Sequence, residues 1–268
     1  MRGRIVAFVM LALLASGASS GIEAQDGSFE WQNAMRAGQV LEVKGIVGDI
    51  RAEYTSGGTA EVIATKDGRR RDFDEVEIRV VEEGDGYTVC AVYHAHSADR
   101  DGCDDNHNGR SRENRHSIDV EVNYVVRVPA GVEFVAGIVS GDIEVEGLRS
   151  EVHAGTVDGD IYVSTTEMAT ANTVSGSIEV QMGSTDWDRL NFNTVSGDIT
   201  LWLPAGIDTD VDFESLSGDI DSDFDITMTG RRSRRWIGAE VEGYIGSQGT
   251  RELTFNTVSG DVRLRESR

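Results

Sequence analysis

Proline is scarce in this chain: Pro129 and Pro204 are the only two in 268 residues. The residue that most often interrupts strands is therefore largely missing. Cysteine is limited to Cys90 and Cys103, too few for a disulfide-dense framework. Aromatic residues make up 7%, so a core must be filled mainly by Val, Ile, Leu and Ala. Basic residues are outnumbered, 25 against 47 acidic, for a net charge of −22. That balance argues against nucleic-acid binding, which relies on Lys and Arg to neutralise phosphates. It favours solubility and repulsion between copies. Beyond the first residues no run is long and apolar enough to cross a bilayer.

Those first residues read as a secretory signal over 1–25. Arg2 and Arg4 supply a positive start, Ile5 to Ala15 are almost wholly apolar, and small residues follow. A cut could follow Ala18 or Ala24; an uncleaved anchor is the alternative. The expected location is exported, either periplasmic or extracellular at the cell surface.

What the chain has in abundance is Gly, 31 residues, and aligning on Gly exposes a repeat. Val139-Ser-Gly-Asp-Ile143 recurs, with small changes, around Gly159, Gly176, Gly197, Gly218 and Gly260, and an earlier copy surrounds Gly48. From Gly141 onward the spacings are 18, 17, 21, 21 and 42, the last being twice 21, as if one turn were enlarged or replaced. Apolar residues stand seven and five positions before each Gly and two after; four after, only Ser222 breaks the pattern. This is the period of strands with one face buried. Phe192 and Val195, three apart, would fall on opposite faces of a straight strand, and a corner between them is expected to return both to the core. Gly, Ser and Asp suit such a corner.

One two-strand unit cannot bury its apolar face, but stacked units can. Residues 131–268 are therefore expected to form an all-β, stacked-rung β-solenoid resembling a β-helix, with Gly48, Gly141, Gly159, Gly176, Gly197, Gly218 and Gly260 at its corners. An antiparallel β-sandwich is the alternative. Residues 26–130 are expected to be a β-rich cap, with strands near 40–43, 59–65, 76–81, 87–93 and 118–128. The segments 87–93 and 118–128 read as arms of one long hairpin. Arg263, Arg265 and Arg268 are expected on or after the last rung, guarding its edge.

The Val-Pro-Ala-Gly of 128–131 and the Leu-Pro-Ala-Gly of 203–206 each lead into a Ser-Gly-Asp-Ile corner. With those corners, the chain resembles a bacterial family of β-strand-repeat proteins, candidate adhesins of unknown function. The resemblance implies an extracytoplasmic solenoid-like fold with no established catalytic residues. The segment Arg231–Arg235 has no counterpart in the other repeats.

Candidate sites are few. Asp follows Gly at six of the seven corners, Ser177 being the exception. These Asp could form a calcium ladder, with Asp198 and Asp219 among the candidates, or could bond their own turn backbone. Cys90 and Cys103 are expected to form a disulfide. His94 and His96, on one face of a strand after Cys90, are an alternative metal site. Arg231, Arg232, Arg234 and Arg235 before Trp236 could grip an anionic ligand or be a solvated loop. Trp202 is expected to face outward, as a sugar platform or as surface packing. His153 among many Ser and Asp makes no triad, and no cofactor is called for. The expected function is a non-catalytic module of adhesion or envelope interaction. Its partner would be an envelope or surface ligand: a glycan, an anionic polymer or a protein. The alternative is a polysaccharide-acting β-helix enzyme.

Overall fold

Alternating burial makes nearly every apolar run a strand. The computed structural model describes residues 22–24, 27–93, 103, 119–229, 239–249 and 251–267. Among these residues, two sheets of 11 strands each face one another across the core. Sheet A runs β1 (Ile22–Ala24), β2 (Ser28–Ala34), β5 (Thr59–Gly68), β8 (Val120–Pro129), β4 (Ile50–Thr55), β10 (Ile143–Leu148), β12 (Ile161–Thr165), β14 (Ile178–Met182), β16 (Ile199–Leu203), β22 (Val262–Glu266) and β18 (Ile220–Ser222). Sheet B runs β19 (Ile226–Met228), β20 (Ala239–Ile245), β17 (Thr209–Ser217), β21 (Glu252–Ser259), β15 (Arg189–Asn193), β13 (Ala169–Asn172), β11 (Val152–Gly155), β9 (Glu133–Gly137), β3 (Val40–Lys44), β7 (Gly86–Tyr93) and β6 (Val76–Glu83).

The middle of both sheets is parallel, and each rung contributes one strand to each sheet. In sheet A the residues two after Gly lie in one register: Ile50, Ile143, Ile161, Ile178, Ile199, Val262 and Ile220. In sheet B, Leu41, Phe134, Val152 and Ala169 do the same, as do Leu190, Leu253 and Val211. These columns form the core, and all of them are buried except Ile220, on the last rung. The solenoid expected from the repeat is the observed fold. Antiparallel pairing is confined to the ends, where β1, β2, β5 and β8, β6 with β7, and β17 with β20 and β19 extend the parallel stack.

Four expectations need correction. The rungs do not stack in chain order. β22 lies between β16 and β18, and β21 between β15 and β17, so the Gly260 rung sits inside the Gly218 rung. Arg263 and Arg265 are consequently not edge guards: they reach Asp198 and Asp261, and Asp221 and Asp223, on this rung and its two neighbours. Arg268 lies outside the described residues. Next, Val195 does not join Phe192 in the core. The residues two before Gly (Val139, Val157, Val174, Val195, Leu216, Val258) are 44–52% exposed. The corner falls one residue earlier, and the inward position three before Gly is held by Thr156, Thr173, Thr194, Thr257 and Ser215, all buried. Third, β7 and β8 are not arms of one hairpin. β7 belongs to sheet B beside β3 and β6, and β8 to sheet A beside β4 and β5.

The fourth concerns the Asp after each Gly, whose carboxylate does not bond its own turn. It accepts the backbone N–H of the equivalent residue on the next rung: Asp49 from Asp142 at 3.0 Å, Asp142 from Asp160 at 2.8 Å, Asp160 from Ser177 at 2.7 Å, Asp198 from Asp261 at 2.9 Å, and Asp261 from Asp219 at 3.1 Å. Asn123 plays this part beneath the first corner, accepting from Asp49 at 2.8 Å. The corner Asp is thus an inter-rung tie.

Candidate functional site

The corners line up as a ridge along one long side of the solenoid. Successive corners are bridged in parallel from Val47 through Ser140, Asp158, Ser175 and Ser196 to Ser259. Two devices hold them. The Asp ties bind the sheet A side. On the sheet B side, buried Thr hydroxyls donate to the Gly carbonyl of the preceding corner: Thr156 to Gly141 and Thr173 to Gly159 at 3.2 Å, and Thr194 to Gly176 at 3.1 Å. Thr fits because it is small enough to be buried here while its hydroxyl finds an acceptor in the neighbouring Gly carbonyl. Gly is required for two reasons, seen at Gly159. Its φ is +156°, and a Cβ there would strike the Gly141 carbonyl oxygen.

Two shallow grooves flank this ridge. The groove on the sheet B side is mostly apolar, about 360 Å³, and runs along Val139, Val157 and Val174 over the small Gly137 and Gly155, with Lys44 at one end. Beyond it an amide ladder continues: Asn193 donates to Asn172 at 2.6 Å and Asn256 donates to Asn193 at 2.8 Å. The groove on the sheet A side is polar, about 280 Å³, lined by Asp49, Arg51, Asp142, Glu144, Asp160, Tyr162, Ser177 and Glu179 together with the edges of Ile143 and Ile161. Tyr162 stands in its middle, 37% exposed, with Glu144 beside it on one rung and Glu179 on the other. Arg51 neutralises Glu144 at 3.1 Å; Glu179 has no ion-pair partner among the described residues.

The electrostatics are set locally. The Asp261 N–H, and then the Arg263 guanidinium at 2.7 Å, hold the Asp198 carboxyl below the usual carboxylate range. Hydrogen bonding from Arg265 does the same for Asp221. On the outer face of β17 the opposite holds: burial, and then Glu214, Glu242, Glu252 and Glu240, push Asp212 up.

Other sequence-derived candidates fall in several places. Cys90 and Cys103 are disulfide-bonded, with Cα atoms 5.8 Å apart. Asp198 and Asp219 are not neighbours, since Asp261 lies between them, and Asp198 is taken up by a backbone N–H and an arginine. Among the described residues, no group of three or more His, Cys, Asp or Glu side chains is placed to hold a metal. His94, His96, Arg231, Arg232, Arg234, Arg235 and Trp236 lie outside the described residues. Trp202 is half-buried on the outer face of sheet A, between Gln181 and Arg265. His153 packs outside sheet B, its Nδ1 2.7 Å from Thr170 and its Nε2 3.0 Å from Glu151. No helix among the described residues is long and apolar enough to cross a membrane.

Stacked Ser-Gly-Asp corners, buried Thr and the inward Ile and Val columns define the repeat. Residues 139–265 match the Toastrack DUF4097 family. The Toastrack match spans the corners from Gly141 to Gly260 and upholds the resemblance to β-repeat proteins of unknown function. No curated protein matches the chain. Solved structures with similar coverage include a candidate cell adhesion protein from Clostridium sporogenes, with 10% identity and TM-score 0.49 over 89% of this chain and 99% of that one. A candidate adhesin from Bacteroides fragilis shows 14% identity and TM-score 0.38 over 91% and 100%. A candidate lipid-binding protein from Parabacteroides distasonis shows 11% and 0.26 over 92% and 99%.

Proposed function

We propose that this protein is an exported, non-catalytic β-repeat module acting in adhesion or in contact with the cell envelope. The observation that carries the reading is the aliphatic stripe on the ridge. Val139, Val157, Val174, Val195, Val258 and Leu216 are each about half exposed, on a chain of net charge −22. Scattered apolar residues on a surface need no explanation, but an aligned row along a groove is the signature of a contact surface. The rungs beneath it are locked by Asp and Thr ties, so the stripe is rigid and loses little order on binding.

Export is supported by the disulfide and by the composition of residues 1–25. A cut after Ala18 would keep β1 in the mature protein, whereas a cut after Ala24 would remove it. A polysaccharide-cleaving role is less well supported, because the ridge carboxylates serve as acceptors for backbone N–H groups and both grooves are shallow.

The test is retention of the purified protein on bacterial envelope fractions. Val157→Ser, Val174→Ser and Val195→Ser combined should lower retention several-fold while leaving the β-sheet circular dichroism unchanged. Undiminished retention by a folded triple variant would refute the role of the stripe.

A further inference from the structure

The outer face of sheet A carries a second feature that the stripe does not use. Tyr162 on β12 and Trp202 on β16 both point outward, and β14 lies between them. Two strand spacings separate them across the sheet and the register shifts by two residues, which places them about 12 Å apart along a diagonal. Glu179 and Gln181 flank that diagonal, and Thr200 stands beside Trp202 on β16, level with Glu179 and Tyr162. This set comprises an exposed tyrosine ring and a half-buried tryptophan ring with a carboxylate and an amide between them and a hydroxyl beside them, on the outer face of a sheet whose rungs are tied at the corners.

We propose that this diagonal binds a linear glycan carrying free amino groups. The inference rests on the adhesive reading and gives it a ligand class. Aromatic rings on the outer face of a sheet can stack on sugar rings, and the span from Tyr162 to Trp202 is a few sugar rings long. The charge decides which sugars fit. Nearby cations are already neutralised: Arg51 by Glu144, Arg263 by Asp198 and Asp261, and Arg265 by Asp221 and Asp223. The Glu179 carboxylate has no ion-pair partner among the described residues, and Asp160, which accepts the Ser177 N–H through one oxygen, also lines the groove. An acidic glycan would be repelled here, both by these groups and by the field of the whole chain. A protonated sugar amine would meet a carboxylate at Glu179 and the ring face of Tyr162, a combination that favours cations.

The experiment is calorimetric titration of the full-length protein at low salt and mildly acidic pH with three probes: a glucosamine hexamer, its fully N-acetylated counterpart and a lysine hexamer. The glucosamine hexamer should bind, and more weakly as salt is added. Tyr162→Ala and Trp202→Ala should each weaken it by about tenfold. Glu179→Gln should weaken it and narrow its advantage over the acetylated hexamer. Melting temperatures should stay near wild type, because all three side chains lie on the outer face. Equal binding of the acetylated hexamer would overturn the charge argument, and equal binding of the lysine hexamer would overturn the glycan. No binding of the glucosamine hexamer would reject the proposal outright. Retention of the wild-type protein on envelope fractions, measured in parallel, reports separately on the adhesive reading.

Discussion

Two glycines with the same sign of φ test the corner in a single experiment. Gly159 has φ +156° and Gly206 has φ +74°. A Cβ added at Gly206 meets nothing within 4 Å, whereas one added at Gly159 drives into the Gly141 carbonyl oxygen and carbon. Gly206→Ala should therefore cost only the backbone term, about 1–2 kcal/mol. Gly159→Ala adds overpacking, about 1–3 kcal/mol on top of backbone strain of about 1–3 kcal/mol. Relief requires the two rungs to part. Parting would break the bond from the Gly141 N–H to the Asp158 carbonyl, at 2.9 Å, and the Thr156 bond to the Gly141 carbonyl. A difference of about 2–3 kcal/mol between the variants is expected, or roughly 4–12 °C in melting temperature for a chain of this size. Thermal and urea unfolding followed by circular dichroism at the β-sheet band would measure it. Equal losses in the two variants would mean that inter-rung contact does not dictate Gly at the corner.

Ile199→Asp should bury an unpaired carboxylate in a fully enclosed column and cost several kcal/mol, about 3 or more. Its neighbour change Asp198→Asn keeps an acceptor for the Asp261 N–H and should cost about 1 kcal/mol; equal melting shifts would contradict the assigned faces. Asp198 and Asp221 have folded pKa values below their unfolded ones, so their contribution is complete above the unfolded carboxylate value, about 3.9. It is lost as pH falls through the folded values. Arg263→Gln with Arg265→Gln should flatten that acid limb, and an unaltered acid profile would argue against the ion pairs. Reducing Cys90–Cys103, 13 residues apart, should remove about 3 kcal/mol from the local loop. Hydrogen exchange should then rise in β7 and stay unchanged in β12; uniform loosening would contradict a local role. We also propose that residues 26–130 cap the stack, because β3 and β4 cover the edges of β9 and β10. A fragment of residues 131–268 should self-associate on size exclusion, and a stable monomer would refute the cap.

The parts of this fold that were legible in the sequence are those governed by burial at period two. The columns at Phe134, Val152, Ile143 and Ile161 could be read because their apolar residues repeat at fixed offsets from Gly. The corner's position is hidden from a pattern that follows apolar residues alone. In that pattern Val195 reads as inward, while Thr194 is polar yet buried to 4% exposure. Position 194 could have been found by noting that Thr, a β-branched residue, recurs three before Gly at 156, 173, 194 and 257. The rung order was also available. The run Asn193-Thr-Val-Ser-Gly-Asp198 is repeated at Asn256-Thr-Val-Ser-Gly-Asp261, whereas the Gly218 copy has Glu214-Ser-Leu in place of Asn-Thr-Val. Those two Asn are hydrogen-bonded across adjacent strands, and Phe192 stacks on Phe255 at 5.7 Å. Spacing along the chain hid this, because stacking joins like with like and the connection between them is free to wander. The sheet exchange between β7 and β8 had no comparable signal, since each strand alone reads the same in either sheet.

The interleaved position of β21 and β22 changes how the stack can be assembled. In a solenoid laid down in chain order each new rung adds to a finished edge, and losing the final rung frays only the tip. Here the rung that comes latest in the chain is a wedge. While it is missing, β15 and β16 have no partner on that side, and β17 and β18 lose the strands that join them to the stack. The Gly218 rung and the β19–β20 hairpin, though made earlier, can settle only after the later segment arrives. Clipping the chain before residue 252 would therefore open the stack internally and release everything outboard of it, making β21 and β22 the keystone of this end of the molecule.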